Sequence, residues 1–187
     1  RVLFRSIFEV RGESTLNPVY GNTLIANIGD FPTGLKTLNV GGLNTITGNL
    51  NTYSSSTIRT FVIDGNNTIS GSVSSAPANV QFFQLTGNTS VQRYTSSRTW
   101  GASGVMNWFA LYSRVGGYTG FTSTYQSELN QLFIDLNVAS WVDSSPIIQK
   151  RIVYPRQGTV APTGDGATAL TTLTTVKGVA VTPVTYP

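Results

Sequence analysis

Residues 35–48 read LKTLNVGGLNTITG and residues 58–71 read IRTFVIDGNNTISG. A catalytic centre needs one copy of each reacting group, whereas a stack of similar coils needs the same segment several times. With Leu35, Ile58, Val80 and Met106 as first positions, successive units are spaced by 23, 22 and 26 residues. The fourth position is then Leu38, Phe61, Phe83 and Phe109, and the sixth is Val40, Ile63, Leu85 and Leu111. Apolar residues two apart describe a short strand with one buried face. Gly42, Gly65 and Gly87 share the eighth position, where a bend with φ > 0 suits glycine.

Past that turn come Asn44-Thr45-Ile46-Thr47-Gly48 and Asn67-Thr68-Ile69-Ser70-Gly71, with an echo in Thr89-Ser90-Val91. Ile46, Ile69 and Val91 are expected to point into the core, and the asparagines to hydrogen-bond the turn backbone. An earlier unit matches Thr15-Leu16-Asn17 to Thr37-Leu38-Asn39 and Asn22-Thr23-Leu24 to Asn44-Thr45-Ile46, with Pro18 where Val40 stands. The segment Phe8-Glu9-Val10-Arg11-Gly12 also reads as a strand and turn in a different register, so two N-terminal readings stay open. Units close with short polar returns such as Tyr53-Ser54-Ser55-Ser56 and Ser75-Ala76-Pro77-Ala78, too short and too rich in Ser and Pro for a helix. The strands are therefore expected to lie parallel in one sheet, and stacking buries the face that one unit alone cannot.

From Thr122 the period becomes helical. Leu129, Leu132, Phe133 and Leu136 fall at i, i+3, i+4 and i+7. Ser123 or Thr124 is a candidate N-cap, Glu128 suits the first turn, and Asp135 is placed on the solvated side. A strand is expected from Ile147 to Tyr154, stopped by Pro155. A Thr-rich helix follows, capped by Asp165, lined by Ala167, Leu170 and Leu173, and ended by Gly178. A last strand, Val179 to Val184, completes a capping part.

The chain has 187 residues, 40% of them hydrophobic and 11% charged, which suits one β-rich, turn-rich domain. It contains neither cysteine nor histidine, which excludes disulfides, thiolate or imidazole zinc sites and nucleophile–His catalysis. The formal charge of +4 comes from scattered residues with no Lys/Arg run, so nucleic acid is not an expected partner. No segment is apolar and long enough to span a membrane. The opening RVLFRS is also the translation of CGT GTG CTC TTC CGA TCT, which resembles the end of a sequencing adapter. Residues 1–6 are accordingly expected to carry no biology, which would leave ten basic against eight acidic residues.

These units resemble leucine-rich-repeat-like proteins across roughly residues 13–184. The matching text is LxxLxVxxLNTITGNL and IxxFxIxGNNTISGSV, and NTITG and NTISG are similar to the Leu-Thr-Gly element of plant-type repeats. The family asparagine falls on Asn66 and Asn88, with Leu43 in its place in the preceding unit. The tail, from LNQLFIDLNVASW through APTGDGATALTTLTTVKGVAVT, resembles the ends of repeat proteins in environmental bacterial and bacteriophage sequences. The resemblance implies an α/β repeat solenoid: a leucine-rich-repeat-like right-handed coil with one parallel β-sheet, non-helical arcs in the N-terminal units and helices in the C-terminal ones. Its units would be 13–34, 35–57, 58–79, 80–105 and 106–146, with a capping part at 147–187, all in one domain from residue 7.

The implied function is recognition of a protein or glycan through the concave sheet face, at an extracellular, cell-surface or virion location. A structural spacer and a polysaccharide-cleaving solenoid are the alternatives. Down the stack, position three reads Thr37, Thr60, Phe82, Trp108 and position seven reads Gly41, Asp64, Thr86, Tyr112. Phe82, Trp108 and Tyr112 are the candidate anchors, because exposed aromatics on a rigid sheet suit a protein partner or sugar rings. Gln84 lies on the same face. Lys36, Arg59 and Gln81, at position two, stand at its margin. The competing expectation is that the loop from Arg114 to Thr122 covers the rings. Asp64 is the one carboxylate on that face and is more simply a turn residue before Gly65, whereas sugar cleavage needs two facing carboxylates. No catalytic, cofactor or metal residue is assigned.

Overall fold

The computed structural model describes residues 7–11, 24–42, 44–65, 67–77, 79–86, 93–101, 104–112, 120–143, 145–146 and 149–186. Expectations placed on residues 1–6, on Gly12, on Thr15 to Thr23, on Leu43, Asn66 and Ala78, on Gly87 to Val91, on most of the 114–122 loop and on Ile147, where a strand was expected to begin, lie outside these.

The strands are β1 (Ile7–Arg11), β2 (Ile25–Asn27), β3 (Thr37–Gly41), β4 (Thr45–Asn49), β5 (Thr60–Ile63), β6 (Thr68–Ser70), β7 (Phe82–Leu85), β8 (Val105–Met106) and β9 (Trp108–Leu111). Helix α1 (Gln126–Val138), β10 (Ser140–Trp141), β11 (Arg151–Gln157), α2 (Gly164–Thr175) and β12 (Ala180–Tyr186) follow. The fold is α/β, built on a seven-stranded sheet in the order β1-β3-β5-β7-β9-β11-β12. Every neighbouring pair in it is parallel. A second sheet runs β2-β4-β6, and β8 pairs with β10.

The register follows the apolar alternation. Leu38 pairs with Phe61, Phe61 with Phe83, and Phe83 with Phe109. The first, fourth and sixth positions from Leu35 through Leu111 are all buried. Within that row Phe83 stacks on Phe61 at 5.6 Å and on Phe109 at 5.3 Å, while Trp100 meets Phe83 and Phe109 edge-on. Each such ring pair adds about 0.5–1.5 kcal/mol beyond its buried area. Gly42 and Gly65 both have positive φ, as the eighth position requires, and a Cβ on Gly65 would lie 2.1 Å from the Gly42 carbonyl oxygen.

Of the two N-terminal readings, the strand beside β3 is Ile7–Arg11, with Ile7 opposite Thr37 and Val10 opposite Val40. The expected match of Leu24 to Ile46 is corrected by two residues: Ile25 pairs with Thr45 and Ala26 with Ile46. The reason is the buried Asn44, whose Oδ1 accepts from the Leu24 N–H (2.8 Å) and whose Nδ2 donates to the Gly41 carbonyl (2.5 Å). Asn67, also buried, donates from Nδ2 to the Thr86 carbonyl. The asparagines thus bond the turn backbone, and Ile46 and Ile69 point inward, as expected.

The polar returns hold an ordered device that the sequence reading did not contain. Ile28, Leu50 and Val73 each begin a one-turn 3-10 helix and are fully buried. The preceding Asn27, Asn49 and Ser72 accept, through their side chains, the N–H two residues on. Polar side chains commonly satisfy orphan donors at a helix start in this way. These arcs are non-helical in the α sense, while the C-terminal crossovers carry α1 and α2.

Helix α1 buries Leu129, Leu132, Phe133 and Leu136 as the period requires. Neither Ser123 nor Thr124 caps it. Both belong to a 3-10 turn, Ser123–Tyr125, and Tyr125 occupies the N-cap without a side-chain bond. In α2 the N-cap is Thr163, with Asp165 inside the first turn instead of capping. Its buried residues are Gly166, Ala169 and Leu173, so Ala167 and Leu170 lie on the flank. Gly166 sets that rotation, since a Cβ there would stand 2.6 Å from Asn130 Cα on α1. Lys177, just past α2, donates from Nζ to the carbonyls of Asn137 and Ala139 (2.8 Å to the latter), covering the C-terminal end of α1.

β11 runs through Pro155 to Gln157 where a stop was expected. Its ladder to β9 ends at Val153 opposite Ala110, two residues before the proline. Past that point the Pro155 carbonyl accepts from the Phe121 N–H (3.3 Å), so no ladder bond requires the donor that proline lacks.

Candidate binding face

The face of the large sheet turned away from the core carries the third and fifth positions of each strand; it is open over β3, β5 and β7 but covered at the fifth position of β9, where Ala110 and its β11 partner Val153 are buried. Thr37, Thr60, Phe82, Trp108 and Arg151 follow one another across adjacent strands, since each is the register partner of the next. Phe82 and Trp108 stack with ring centroids 5.5 Å apart and planes 4° from parallel. The Arg151 guanidinium lies 5.9 Å from the Trp108 ring on its other side, within cation–π range. The Trp108 indole N–H is buried and has no partner among the described residues.

Beside this row, over β3, β5 and β7, a groove of about 480 Å³ is lined by Asn39, Gly41, Gly42, Thr60, Val62, Asp64, Phe82 and Gln84. Three expected residues, Phe82, Gln84 and Asp64, therefore share one concavity. Trp108 braces Phe82 from the next strand and is not itself in the lining. Tyr112 is half-buried beyond the end of β9, where its N–H reaches the Leu85 carbonyl (3.3 Å), and it too lies outside the groove. Arg59 belongs to the strand margin: its Nη1 bonds the carbonyls of Thr57, Ile58 and Asn79 at 3.3–3.5 Å.

The seventh position is not uniformly outward. Thr86 is fully buried, because β7 ends at Leu85 and the chain is already turning. Asp64 is a turn residue, as the simpler expectation held: its Oδ1 accepts from the Gly65 N–H (2.8 Å) and from Thr86 Oγ1 (2.7 Å). These bonds fix the carboxylate at the end of the groove. Asn39 Nδ2 donates to Glu9 Oε1 (3.0 Å), which holds that amide as well. Asn39, Thr60 and Val62 were not singled out from the sequence, although the alternation that marks Phe82 and Gln84 also marks them.

A second polar cluster lies on the other side of the core, where α1 meets residues 93–100. Glu128 takes Arg93 in a forked ion pair (2.6–3.0 Å) and accepts from the Tyr94 N–H (2.6 Å). Asp135 was expected in solvent, yet it is 3% exposed. It accepts from Tyr94 Oη (2.6 Å), Ser97 Oγ (2.8 Å), the Arg98 N–H (2.7 Å) and Gln131 Nε2 (2.6 Å). Trp100 Nε1 donates in turn to Tyr94 Oη (3.0 Å). Four donors explain the correction: a carboxylate enters a core when hydrogen bonds replace its water. Burial, helped by the neighbouring Asp135, pushes the Tyr94 hydroxyl far above its ordinary pKa. Arg98 is drawn down to about 10 by burial, against the opposing effects of Tyr94 and Asp135. It remains charged at neutral pH, with its guanidinium on the carbonyls of Ser74, Ala76 and Pro77 and 4.1 Å from the Trp100 ring. These bonds tie α1 to residues 93–98, and Arg98 ties those residues to the arc at Ser74, Ala76 and Pro77, so this cluster is structural.

Among the described residues no group of three or more acidic, His or Cys side chains could hold a metal ion, and no helix is long and apolar enough to cross a membrane. Compared with protein-family models, curated proteins and solved structures, the chain matches none.

Proposed function

We propose that this chain is a leucine-rich-repeat-like solenoid acting as a non-enzymatic recognition module. It binds a protein or glycan at a cell or virion surface through the outer face of its large sheet. The solenoid reading is supported by strands that enter the sheet in chain order and by 3-10 turns that recur in step at Ile28, Leu50 and Val73. The observation that carries the binding reading is the groove over β3, β5 and β7, walled by the braced Phe82 ring. Its lining differs from strand to strand while the core beneath is nearly uniform. A concave site with one aromatic wall and a few oriented polar groups is the usual form of a ligand site. Of its described lining residues Asp64 alone bears a carboxyl, whereas glycoside cleavage ordinarily uses two, which favours binding over chemistry.

The test is an array of glycans and surface proteins probed with the full chain beside a Phe82→Ala, Trp108→Ala double variant, with folding checked by circular dichroism. Specific binding lost in the folded variant is expected. Specific binding that survives would place the interaction elsewhere and refute the outer face.

A further inference from the structure

We infer that the groove over β3, β5 and β7 accepts an uncharged sugar residue, laid against the free face of Phe82. This rests on the outer-face reading above and narrows it to one ligand class. One face of the Phe82 ring is occupied by Trp108, its register partner on β9. Its other register partner, Thr60 on β5, is small and lines the groove, so the second ring face is left to whatever fills it. A pyranose has the complementary form: an apolar C–H face to set on a ring and a rim of hydroxyls that each donate and accept.

The remaining lining supplies that rim. The Gln84 amide makes no side-chain hydrogen bond within the described residues and offers both a donor and an acceptor. Asn39 is oriented by Glu9, and Asp64 is oriented by Gly65 and Thr86, before any ligand arrives. Preorganised polar groups spare the ligand the entropic cost of ordering them. The volume of about 480 Å³ lies within the roughly 300–1,000 Å³ of small-molecule sites. Charge decides between sugars. No Lys or Arg is among the described lining residues, and the Asp64 carboxylate stands at the end of the groove, so uronates, sialic acids and phosphorylated sugars would meet a like charge there.

The full chain is titrated with maltose, cellobiose, mannobiose, galactobiose and diacetylchitobiose, and with digalacturonate and sialyllactose. Tryptophan fluorescence and calorimetry are the readouts. Saturable binding of at least one neutral disaccharide is expected. Gln84→Ala should weaken it about ten-fold, as for one lost hydrogen bond to the ligand. Thr60→Tyr, which fills the groove, should abolish it while circular dichroism stays native. Absence of binding by every neutral disaccharide overturns the inference. Binding of an acidic sugar alone, abolished by Thr60→Tyr, overturns it while leaving outer-face recognition standing. Neutral-sugar binding that Thr60→Tyr leaves unchanged overturns both.

Discussion

Replacing Asp135 by alanine removes an acceptor on which four donors converge. Ser97 is exposed and Gln131 half-buried, so water takes over two of the four bonds. Tyr94 is buried and Arg98 half-buried, so these two donors are the least able to find water. Each stranded donor costs about 1–3 kcal/mol. The half-buried Arg98 guanidinium, held by the carbonyls of Ser74, Ala76 and Pro77, also loses the favourable field of a nearby carboxylate. These contributions overlap, so the expected loss is about 4 kcal/mol, a large share of a typical stability of about 5–15 kcal/mol. Asp135→Asn should cost about half as much. Its one oxygen can face Tyr94 and Arg98, while Ser97 and Gln131 can turn acceptors toward its amide. Urea unfolding followed by far-UV circular dichroism measures both variants. Tyr94→Phe in the alanine background should show a coupling of about 1–3 kcal/mol with Asp135. A loss below about 1 kcal/mol for Asp135→Ala would refute the claim that this carboxylate anchors α1 to residues 94–98.

Gly65→Ala places a Cβ 2.1 Å from the Gly42 carbonyl oxygen at φ +91°, and should cost several times more than Gly104→Ala, where φ is +76° but nothing lies within 4 Å. The latter should lose about 1–2 kcal/mol, the bare cost of the left-handed conformation, and equal melting shifts for the two would contradict the contact. Burial raises the hydroxyl pKa of Tyr53, Tyr94 and Tyr154 above 10. Their stabilisation is therefore complete below about pH 10 and is lost as pH rises from there through the folded values, at about 1.4 kcal/mol per pH unit for each proton. Arg98, lowered to about 10, acts in the opposite sense. Phenolate absorbance should show these three appearing only with alkaline unfolding; all eight tyrosines ionising together in a native spectrum would contradict this. Lys177→Met should lower stability by about 1 kcal/mol and speed amide exchange in the last turn of α1, a result absent if the Nζ contacts are idle.

The strands were legible because one physical rule, period two with one face in the core, governs the fourth and sixth positions of each unit from Leu38 to Leu111. The helical stripe of α1 was legible for the same reason at period 3.6. What polarity alone could not show is a polar residue that the fold takes inside. Glu128, Gln131 and Asp135 lie on one flank of α1, but that spacing acquires meaning only when Arg93, Tyr94 and Ser97 are known to face it. Pro155 misled because its effect depends on which neighbour has already ended, and Leu24 because a side-chain bond to Asn44 sets the register there. At the candidate site, Phe82, Gln84 and Asp64 were found from alternation and chemistry. Thr60, Val62 and Asn39 obey the same alternation, but small or neutral side chains attract attention only once they are seen to leave space beside a ring.

The central claim, that the chain binds through the outer sheet face, is tested most directly by measuring one array-identified ligand against the wild type and the groove-filled Thr60→Tyr variant in parallel. Near-UV circular dichroism confirms that both are folded. Saturable binding to the wild type with none to the variant is the predicted result. Equal affinity for the two proteins would contradict it.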